Sequence, residues 1–287
     1  MFPYYGSKWN IARHYPSPTT DLVIEPFAGG AGYASFYDAK QVLLIDKDPI
    51  IAGLWSYLIK ASIAEITALP EMPEVGDSVD NYQIPQEAKW LIGFWLNRGS
   101  ASPKKSRTAY SARTDRAQLN WSARAKERIA SQLHMLAGWR SVEGSYDVAP
   151  PVHGTWFIDP PYGNKGRYYR VPFTDGFDQL GDWCCQRHGL IIVCEGPGAT
   201  WLPFEPVGSF KSSMGRTEEW AYIHLRTTLG LWKMKKAKAA ESPRRDSRPG
   251  LAYRPKPKLK PAKRRKCRAT KARKENEALA VEKGVIV

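Results

Sequence analysis

The stretch Leu22-Val23-Ile24-Glu25-Pro26-Phe27-Ala28-Gly29-Gly30-Ala31-Gly32 predicts an apolar strand that runs into a glycine-rich turn and then a helix. Glycine residues let the backbone approach a ligand closely and adopt positive φ angles. A second apolar run, Val42-Leu43-Leu44-Ile45, predicts a second strand that ends at Asp46. The separation between Glu25 and Asp46, at the ends of the two strands, is typical of a βαβ unit that binds a nucleoside.

An acidic residue at the end of the second strand of such a unit accepts hydrogen bonds from the hydroxyl groups of a ribose. Asp46 is favoured for this role because it comes first after the apolar run. Asp48 is the alternative, and it is also suited to cap the helix that is expected to begin near Pro49. The unit alone does not identify the ligand, since glycine-rich turns of this kind serve many nucleotides.

A third apolar run, Trp156-Phe157-Ile158, leads directly into Asp159-Pro160-Pro161-Tyr162. Asp159 offers a carboxylate acceptor, and Pro160 offers a carbonyl on a backbone that two prolines stiffen. Tyr162 offers a flat aromatic face. Two acceptors and such a face suit the exocyclic amino group of a base that has left its stack. The alternative is a proline turn that closes a buried strand, with Asp159 as a turn or cap residue.

These motifs occur in an order that resembles the Dam-type DNA adenine-N6 methyltransferases, in particular the phage-encoded branch of that family. The resemblance covers about residues 1–225. It implies a transfer of methyl from S-adenosylmethionine to the N6 amino group of an adenine flipped out of double-stranded DNA. The motifs that carry it are Tyr4-Tyr5-Gly6-Ser7-Lys8, Glu25-Pro26-Phe27-Ala28-Gly29-Gly30, Ile45-Asp46 and Asp159-Pro160-Pro161-Tyr162.

Carried over by position, the resemblance implies two sets of site residues. The cofactor-binding set is Tyr4, Tyr5, Gly6, Ser7, Lys8, Glu25, Pro26, Phe27, Gly29, Gly30, Asp46 and Asp159. The catalytic set is Asp159, Pro160 and Tyr162. Two positions depart from the family pattern: Ser7 replaces the second glycine of a Gly-Gly-Lys motif, and Ala31 replaces the last glycine of a Phe-x-Gly-x-Gly turn.

Positive charge is concentrated at the end of the chain. Residues 233–287 hold 20 of the 43 Lys and Arg residues but only 5 of the 28 Asp and Glu residues, so the preceding residues hold 23 of each sign. This proline-containing segment has few large apolar residues, which predicts a disordered tail. Such a tail suits sequence-independent binding of phosphate groups, and the alternative is a solubilising or partner-docking tail.

A second basic stretch lies inside the chain. Ten Lys and Arg residues occur between Arg98 and Arg140, and only Asp115 and Glu127 oppose them. The resemblance places target recognition in this region, at about residues 64–145. Residues 99–120 look like a loop that faces a polyanion. The predicted DNA-binding residues are Lys104, Lys105, Arg107, Tyr110 and Arg113.

Strands that alternate with helices predict an α/β fold, with a mostly parallel twisted sheet covered on both faces as in Rossmann-like methyltransferases. The expected division is a cofactor-binding half (1–63), a target-recognition insertion (64–145), a catalytic half (146–232) and the tail (233–287). The predicted strands are Leu22–Glu25, Gln41–Asp46, Thr155–Asp159, Leu190–Glu195 and Trp220–Leu225. The predicted helices are Gly32–Tyr37, Pro49–Ala68, Gln86–Asn97, Trp121–Ala137 and Phe177–Arg187.

Composition favours a cytoplasmic enzyme with double-stranded DNA as partner and no membrane or metal partner; a monomer is the favoured state. The four cysteines form no zinc or disulfide pattern, and the first residues lack the features of a signal peptide. Three alternatives remain open. They are methylation of cytosine N4, methylation of RNA adenine, and a non-catalytic basic DNA-binding protein with a methyltransferase fold.

Overall fold

An eight-stranded mixed sheet forms the centre of the computed structural model. The structure describes residues 1–96, 98–110, 112–113, 120–212, 215–227 and 230–232, so the predicted tail lies outside the described residues. The strands are β1 (Leu22–Glu25), β2 (Gln41–Asp46), β3 (Trp139–Glu143), β4 (His153–Ile158), β5 (His188–Glu195), β6 (Glu205–Ser212), β7 (Gly215–Thr227) and β8 (Gly230–Trp232). The predicted α/β class is therefore confirmed.

The strand order is β3-β2-β1-β4-β5-β7-β6, and β8 pairs with β7. Strands β1 to β5 pair in parallel, whereas β7 runs antiparallel to its three neighbours β5, β6 and β8. The direction in which successive strands are added reverses between β1 and β4. In open α/β sheets, ligands bind at such a reversal, beyond the carboxyl ends of the strands. The topology thus predicts a ligand site at the loops after β1, β2 and β4.

Both faces of the inner strands are buried, as apolar strands in a doubly covered sheet require. One core cluster contains Val23, Leu44, Phe157 and Ile192, and the other contains Ile24, Ile45, Trp156, Ile191 and Val193. Neighbouring residues of one strand therefore point to opposite faces. This two-sided burial explains why the inner strands are continuous apolar runs in the sequence.

Six α-helices are found among the described residues: α1 (Gly32–Phe36), α2 (Pro49–Lys60), α3 (Ile63–Ala68), α4 (Gln86–Leu96), α5 (Ala123–Gln132) and α6 (Phe177–Cys185). The single helix predicted over residues 49–68 is wrong. Ala61 has an extended backbone, and Ser62 and Glu65 form a capping box that starts α3. Since these two side chains satisfy the first N–H groups of α3, they separate it from α2. The predicted helix over residues 121–137 is also shorter, and ends in a 3-10 turn at Leu133–Leu136.

Three strands were not predicted from the sequence: β3, β6 and the short β8. Strand β3 pairs with β2 along its whole length, although its residues fall within the segment assigned to target recognition. Only Trp139 of β3 is buried, so the strand has no apolar run. Strand β6 contains Pro206 and Gly208 and has an irregular register between them. Edge strands of this kind carry weak sequence signals, because a single buried face or a single partner suffices for them.

Residues 69–81 and 103–107 pack together beside α5. Val79 N donates to Lys105 O, and Trp121 Nε1 donates to Pro70 O at 2.8 Å. The buried Lys126 of α5 donates to Leu69 O and pairs with Glu71. One of the ten basic residues of this region, Lys126, therefore has its ammonium bonded inside the fold. Within the described part of the chain, no helix has both the length and the apolar character needed to cross a membrane.

Candidate active site at the ends of β1, β2 and β4

A cleft with about 730 Å³ of empty space, part of it open to solvent, lies at the carboxyl ends of β1, β2 and β4. Five segments of the chain line it: 4–8, the turn after β1, the end of β2, the end of β4, and 169–173. The lining residues are Tyr4, Tyr5, Gly6, Ser7, Lys8, Glu25, Phe27, Ala28, Gly29, Gly30, Gly32, Asp46, Lys47, Asp48, Phe157, Asp159, Pro161, Tyr169, Arg170, Val171, Pro172 and Phe173.

The segment from Tyr4 to Trp9 packs directly on the glycine-rich turn. A Cβ atom on Gly32 would lie 2.6 Å from the Trp9 backbone nitrogen, closer than such atoms approach in proteins. A Cβ atom on Gly29 would lie 2.9 Å from the Tyr4 ring. The turn therefore requires glycine at these positions so that the start of the chain can form one wall of the cleft.

Ala31 occupies a backbone conformation that favours glycine. Its φ is 43° and its ψ is 50°, in the left-handed region, and it is fully buried. Left-handed conformations cost a residue with a Cβ about 1–2 kcal/mol. Ala31 is the position at which the resembled family carries the last glycine of the turn. The turn therefore contains a strained residue.

The carboxylate of Asp46 is held by backbone N–H groups. One oxygen accepts from Gly29 N and the other from Asp48 N, each at 2.9 Å. Burial raises the pKa of Asp46 to about 6, although the two N–H groups act in the opposite direction. The side chain is thus fixed at the cleft beside the turn, and it is mostly ionised at neutral pH.

Asp48 has other structural partners. Its Oδ1 accepts from Ile50 N at 3.0 Å, which caps the N-terminus of α2. Its Oδ2 lies 3.0 Å from Arg170 Nε, in an ion pair that connects α2 to the segment 169–173. These contacts match the capping role that the sequence suggested for Asp48. Both aspartates line the cleft, and Asp46 is the one whose side chain makes no ion pair among the described residues.

Asp159 makes a two-point contact with the buried Lys8. Lys8 Nζ donates to Asp159 Oδ1 at 2.7 Å and to Oδ2 at 2.9 Å, and also to the Tyr162 hydroxyl at 3.1 Å. Burial raises the pKa of Asp159 to about 6, although the Lys8 ammonium acts in the opposite direction. Burial also disfavours the ammonium, but its anionic neighbours raise the pKa of Lys8 well above its usual value. Lys8 therefore stays charged.

Glu219 of β7 completes this group. Its carboxylate lies 3.4 Å from Lys8 Nζ, accepts from the Tyr15 hydroxyl at 2.9 Å, and accepts from the Tyr162 hydroxyl at 3.3 Å. The sulfur of Cys194 and the carboxylates of Asp159 and Glu219 lie within 4.8 Å of one another, a spacing that metal ligands share. The Lys8 ammonium contacts both carboxylates, so a cation of the protein itself is present there.

Glu25 differs from the other carboxyl groups of the cleft. It is buried at the end of β1 and accepts from Ala34 N at 2.7 Å, at the first turn of α1. Burial raises its pKa to about 8, although the Ala34 N–H group acts in the opposite direction. Burial therefore favours the protonated form of Glu25.

The cleft brings together residues that lie far apart in the sequence. Eleven of the twelve residues predicted to bind the cofactor line it, and Pro26 is buried beside it without lining it. Pro160 and Tyr162 of the catalytic set do not line it either. Tyr162 is connected to it through Lys8, and its ring lies beside Gly196 at the end of β5.

Sequence reasoning missed the segment Tyr169–Phe173, which contributes five lining residues. The Tyr169 hydroxyl lies so close to Gly6 that a Cβ there would be only 2.4 Å away, and Phe173 contacts Phe27 edge to face. The only available signal was position, because the segment follows Asp159-Pro160-Pro161-Tyr162 within a few residues. Glu219 was also missed, and nothing in its neighbourhood in the sequence marks it.

The predicted DNA-binding residues lie apart from the lining of the cleft, on the segment that follows α4. Lys104 and Tyr110 are exposed, and Arg113 lies over the Tyr110 ring at 5.2 Å. Lys105 forms an exposed ion pair with Asp80, while Arg107 donates to Pro73 O. Lys104, Tyr110 and Arg113 are therefore exposed, whereas Arg107 is engaged in holding residues 73–81.

Scanned against protein-family models and compared with the curated proteins, the chain matches none. The functional assignment therefore depends on the residues of the cleft and their chemistry.

Proposed function

We propose that the protein transfers a methyl group from S-adenosylmethionine to the N6 amino group of adenine in double-stranded DNA. One observation carries the proposal: a partly buried, ionisable Asp159 at the end of β4 shares a cleft with the glycine-rich turn and Asp46. A nucleoside site and an acceptor for an amino group are thus adjacent. In the sequence, the same elements carry the resemblance to Dam-type methyltransferases.

The residues of the cleft fit a nucleoside cofactor. Gly29, Gly30 and Gly32 allow residues 4–9 to pack on the turn, and the two segments together wall the cleft beside a switch point of the sheet, where nucleotides bind. Asp46 presents a fixed carboxylate, which suits the two hydroxyl groups of a ribose. Phe27, Tyr4 and Phe173 provide apolar surface for an adenine ring and a carbon chain.

S-adenosylmethionine supplies an electrophilic methyl group on a positively charged sulfur. Asp159 and the Pro160 carbonyl accept the two N–H groups of the adenine amino group, which directs the nitrogen lone pair towards that methyl. Tyr162 provides an aromatic face for the flipped base. The protein thus acts by orientation and by negative charge close to a nitrogen that becomes positive.

The proton leaves the amino nitrogen as or after the new bond forms. With a pKa of about 6, Asp159 is a weak base that is ionised at neutral pH. Its function in the proposal is therefore to align and polarise the amine, and the cationic methylated nitrogen, which is strongly acidic, then gives its proton to water. Lys8 keeps Asp159 in place before the base arrives.

The test is incubation of the protein with methyl-labelled S-adenosylmethionine and unmethylated duplex DNA, followed by identification of the labelled nucleoside. We expect N6-methyladenine from the wild type. Asp159→Ala should lower the rate on the order of 10²–10³-fold, because the amino group loses an oriented acceptor. The matched control is Asp182→Asn on the exposed side of α6, which should behave as the wild type. Label in cytosine, or only in an RNA substrate, would replace the proposal by one of its alternatives.

A further inference from the structure

Three donor groups surround the Glu219 carboxylate in the interior of the protein. It is only 5% exposed, it lies on the antiparallel strand β7, and it does not line the cleft. Its oxygens are reached by Tyr15 at 2.9 Å, by Tyr162 at 3.3 Å, and by the Lys8 ammonium at 3.4 Å. A buried carboxylate needs such donors, and two of these three also contact each other next to Asp159.

Tyr15 fixes the Glu219 carboxylate through its hydroxyl group. The Tyr15 ring packs edge to face on Phe157 with centroids 5.2 Å apart, and its hydroxyl accepts from Cys194 Sγ at 3.5 Å. Since Phe157 belongs to β4 and Cys194 to β5, the Glu219 carboxylate is fixed relative to the two strands that end at the catalytic set.

We propose that Glu219 is a positioning residue for methyl transfer, which holds the Lys8 ammonium and the Tyr162 hydroxyl while Asp159 binds the amino group of the base. The inference rests on the proposed function. It assigns a role to a residue that no motif of the sequence identified.

Binding of the base places a second donor on the oxygens that hold Lys8. Both oxygens of Asp159 accept from Lys8 in the free protein, so an adenine amino group that donates to one of them competes with the ammonium for that oxygen. A buried ammonium that loses its partner is strongly unfavourable. Glu219 lies 3.4 Å from Lys8 Nζ, near enough to retain the ammonium when its contact with Asp159 weakens.

Charge also favours this role. One ammonium faces two carboxylates in the group formed by Lys8, Asp159 and Glu219, which leaves a net negative charge beside the reacting nitrogen. Glu195, at the end of β5, adds a further carboxyl group near Asp159. The amino nitrogen gains positive charge as the bond to methyl forms, and a fixed negative charge stabilises it at that moment.

The test compares Glu219→Gln with Glu218→Gln, a neighbour on β7 whose side chain is exposed. We expect Glu219→Gln to bind S-adenosylmethionine as the wild type does and to lose kcat on the order of 10–100-fold, as when a group that orients a reacting residue is removed. Glu218→Gln should keep the wild-type kcat. A kcat of Glu219→Gln within twofold of that of Glu218→Gln would overturn the inference.

Two further measurements keep the test decisive. If Glu219→Gln does not fold, Tyr15→Phe removes one donor to Glu219 and should lower kcat several-fold at unchanged KM. An unchanged kcat would overturn the inference.

The titration of the Asp159 carboxyl carbon, followed by NMR, does not need methyl transfer. It should show a lower pKa in Glu219→Gln, because a neighbouring negative charge is lost. An unchanged titration would overturn the inference even in an active enzyme. Absence of methyl transfer by the wild type would instead refute the proposed function.

Discussion

The two aspartates of the cleft, Asp46 and Asp159, lie at the ends of strands that flank β1, and both have a pKa raised by burial to about 6. Their partners differ. Backbone N–H groups from Gly29 and Asp48 hold Asp46, whereas the side chain of Lys8 holds Asp159. Lys8 can exchange partners, since Glu219 lies on its other side.

This difference indicates a division of labour. Backbone donors cannot move without a change of the turn, so Asp46 is suited to a ligand that binds in one fixed position. A side-chain cation with a second partner can release Asp159, which is then suited to a group that arrives for reaction. We therefore expect changes around Asp159 to affect the chemical step and the balance of charge, and changes around Asp46 to affect cofactor affinity.

The largest effect is expected for Lys8→Met. It leaves Asp159 and Glu219 buried without their cation, and loss of one member of a buried ion pair costs about 3–5 kcal/mol. Urea denaturation should show this decrease in the free energy of unfolding. The control is Lys40→Met, which removes an exposed pair with Asp38 and should cost less than about 1 kcal/mol. Equal effects of the two substitutions would contradict the view that Asp159 depends on a side-chain cation.

Asp46→Ala should weaken S-adenosylmethionine binding by about 1.5–3 kcal/mol, because the ribose hydroxyl groups lose a charged acceptor. DNA binding should change little. Calorimetric titration with the cofactor measures the effect, and Asp48→Ala is the informative comparison, since Asp48 caps α2 and pairs with Arg170. A loss of affinity in Asp48→Ala alone would show that the ribose contact belongs to Asp48.

The inner strands and the position of the cleft could be predicted because they depend on local signals. Strands β1, β2 and β4 are buried on both faces, so their apolar runs mark them, and each ends in a residue of distinct chemistry. Glu219 and the segment Tyr169–Phe173 could not be found in this way. Their roles arise from contacts across the fold, and neither an apolar period nor a motif accompanies them.

Methyl transfer should depend on the ionisation of Asp159. Only its carboxylate form accepts both from Lys8 and from an amino group, and its pKa is raised to about 6. At saturating substrates the rate should therefore fall about tenfold per pH unit below that value and level off above it. A rate profile that stays flat down to pH 5 would show that the carboxylate form is not required. In Asp46→Asn the same profile should persist, since that residue acts on affinity.

The smallest effect is expected at the turn that holds Asp46. Ala31→Gly should raise the free energy of unfolding by about 1 kcal/mol, because glycine adopts the left-handed conformation without a steric cost. The greater freedom of glycine in the unfolded chain offsets part of this gain. Gly32→Ala should destabilise the protein, since its Cβ would meet the backbone of Trp9. Thermal denaturation of both variants compares them directly, and a destabilised Ala31→Gly would refute the account of the turn.

The division between the two aspartates is tested most directly by single-turnover methyl transfer to duplex DNA, measured at increasing S-adenosylmethionine for Asp46→Asn and Asp159→Asn. We predict that Asp46→Asn needs more cofactor for half-maximal rate but reaches a maximal rate close to that of the wild type. Asp159→Asn should reach a maximal rate on the order of 10²-fold lower, at a similar cofactor requirement. A wild-type maximal rate in Asp159→Asn, or a lowered maximal rate with unchanged cofactor requirement in Asp46→Asn, would contradict the account.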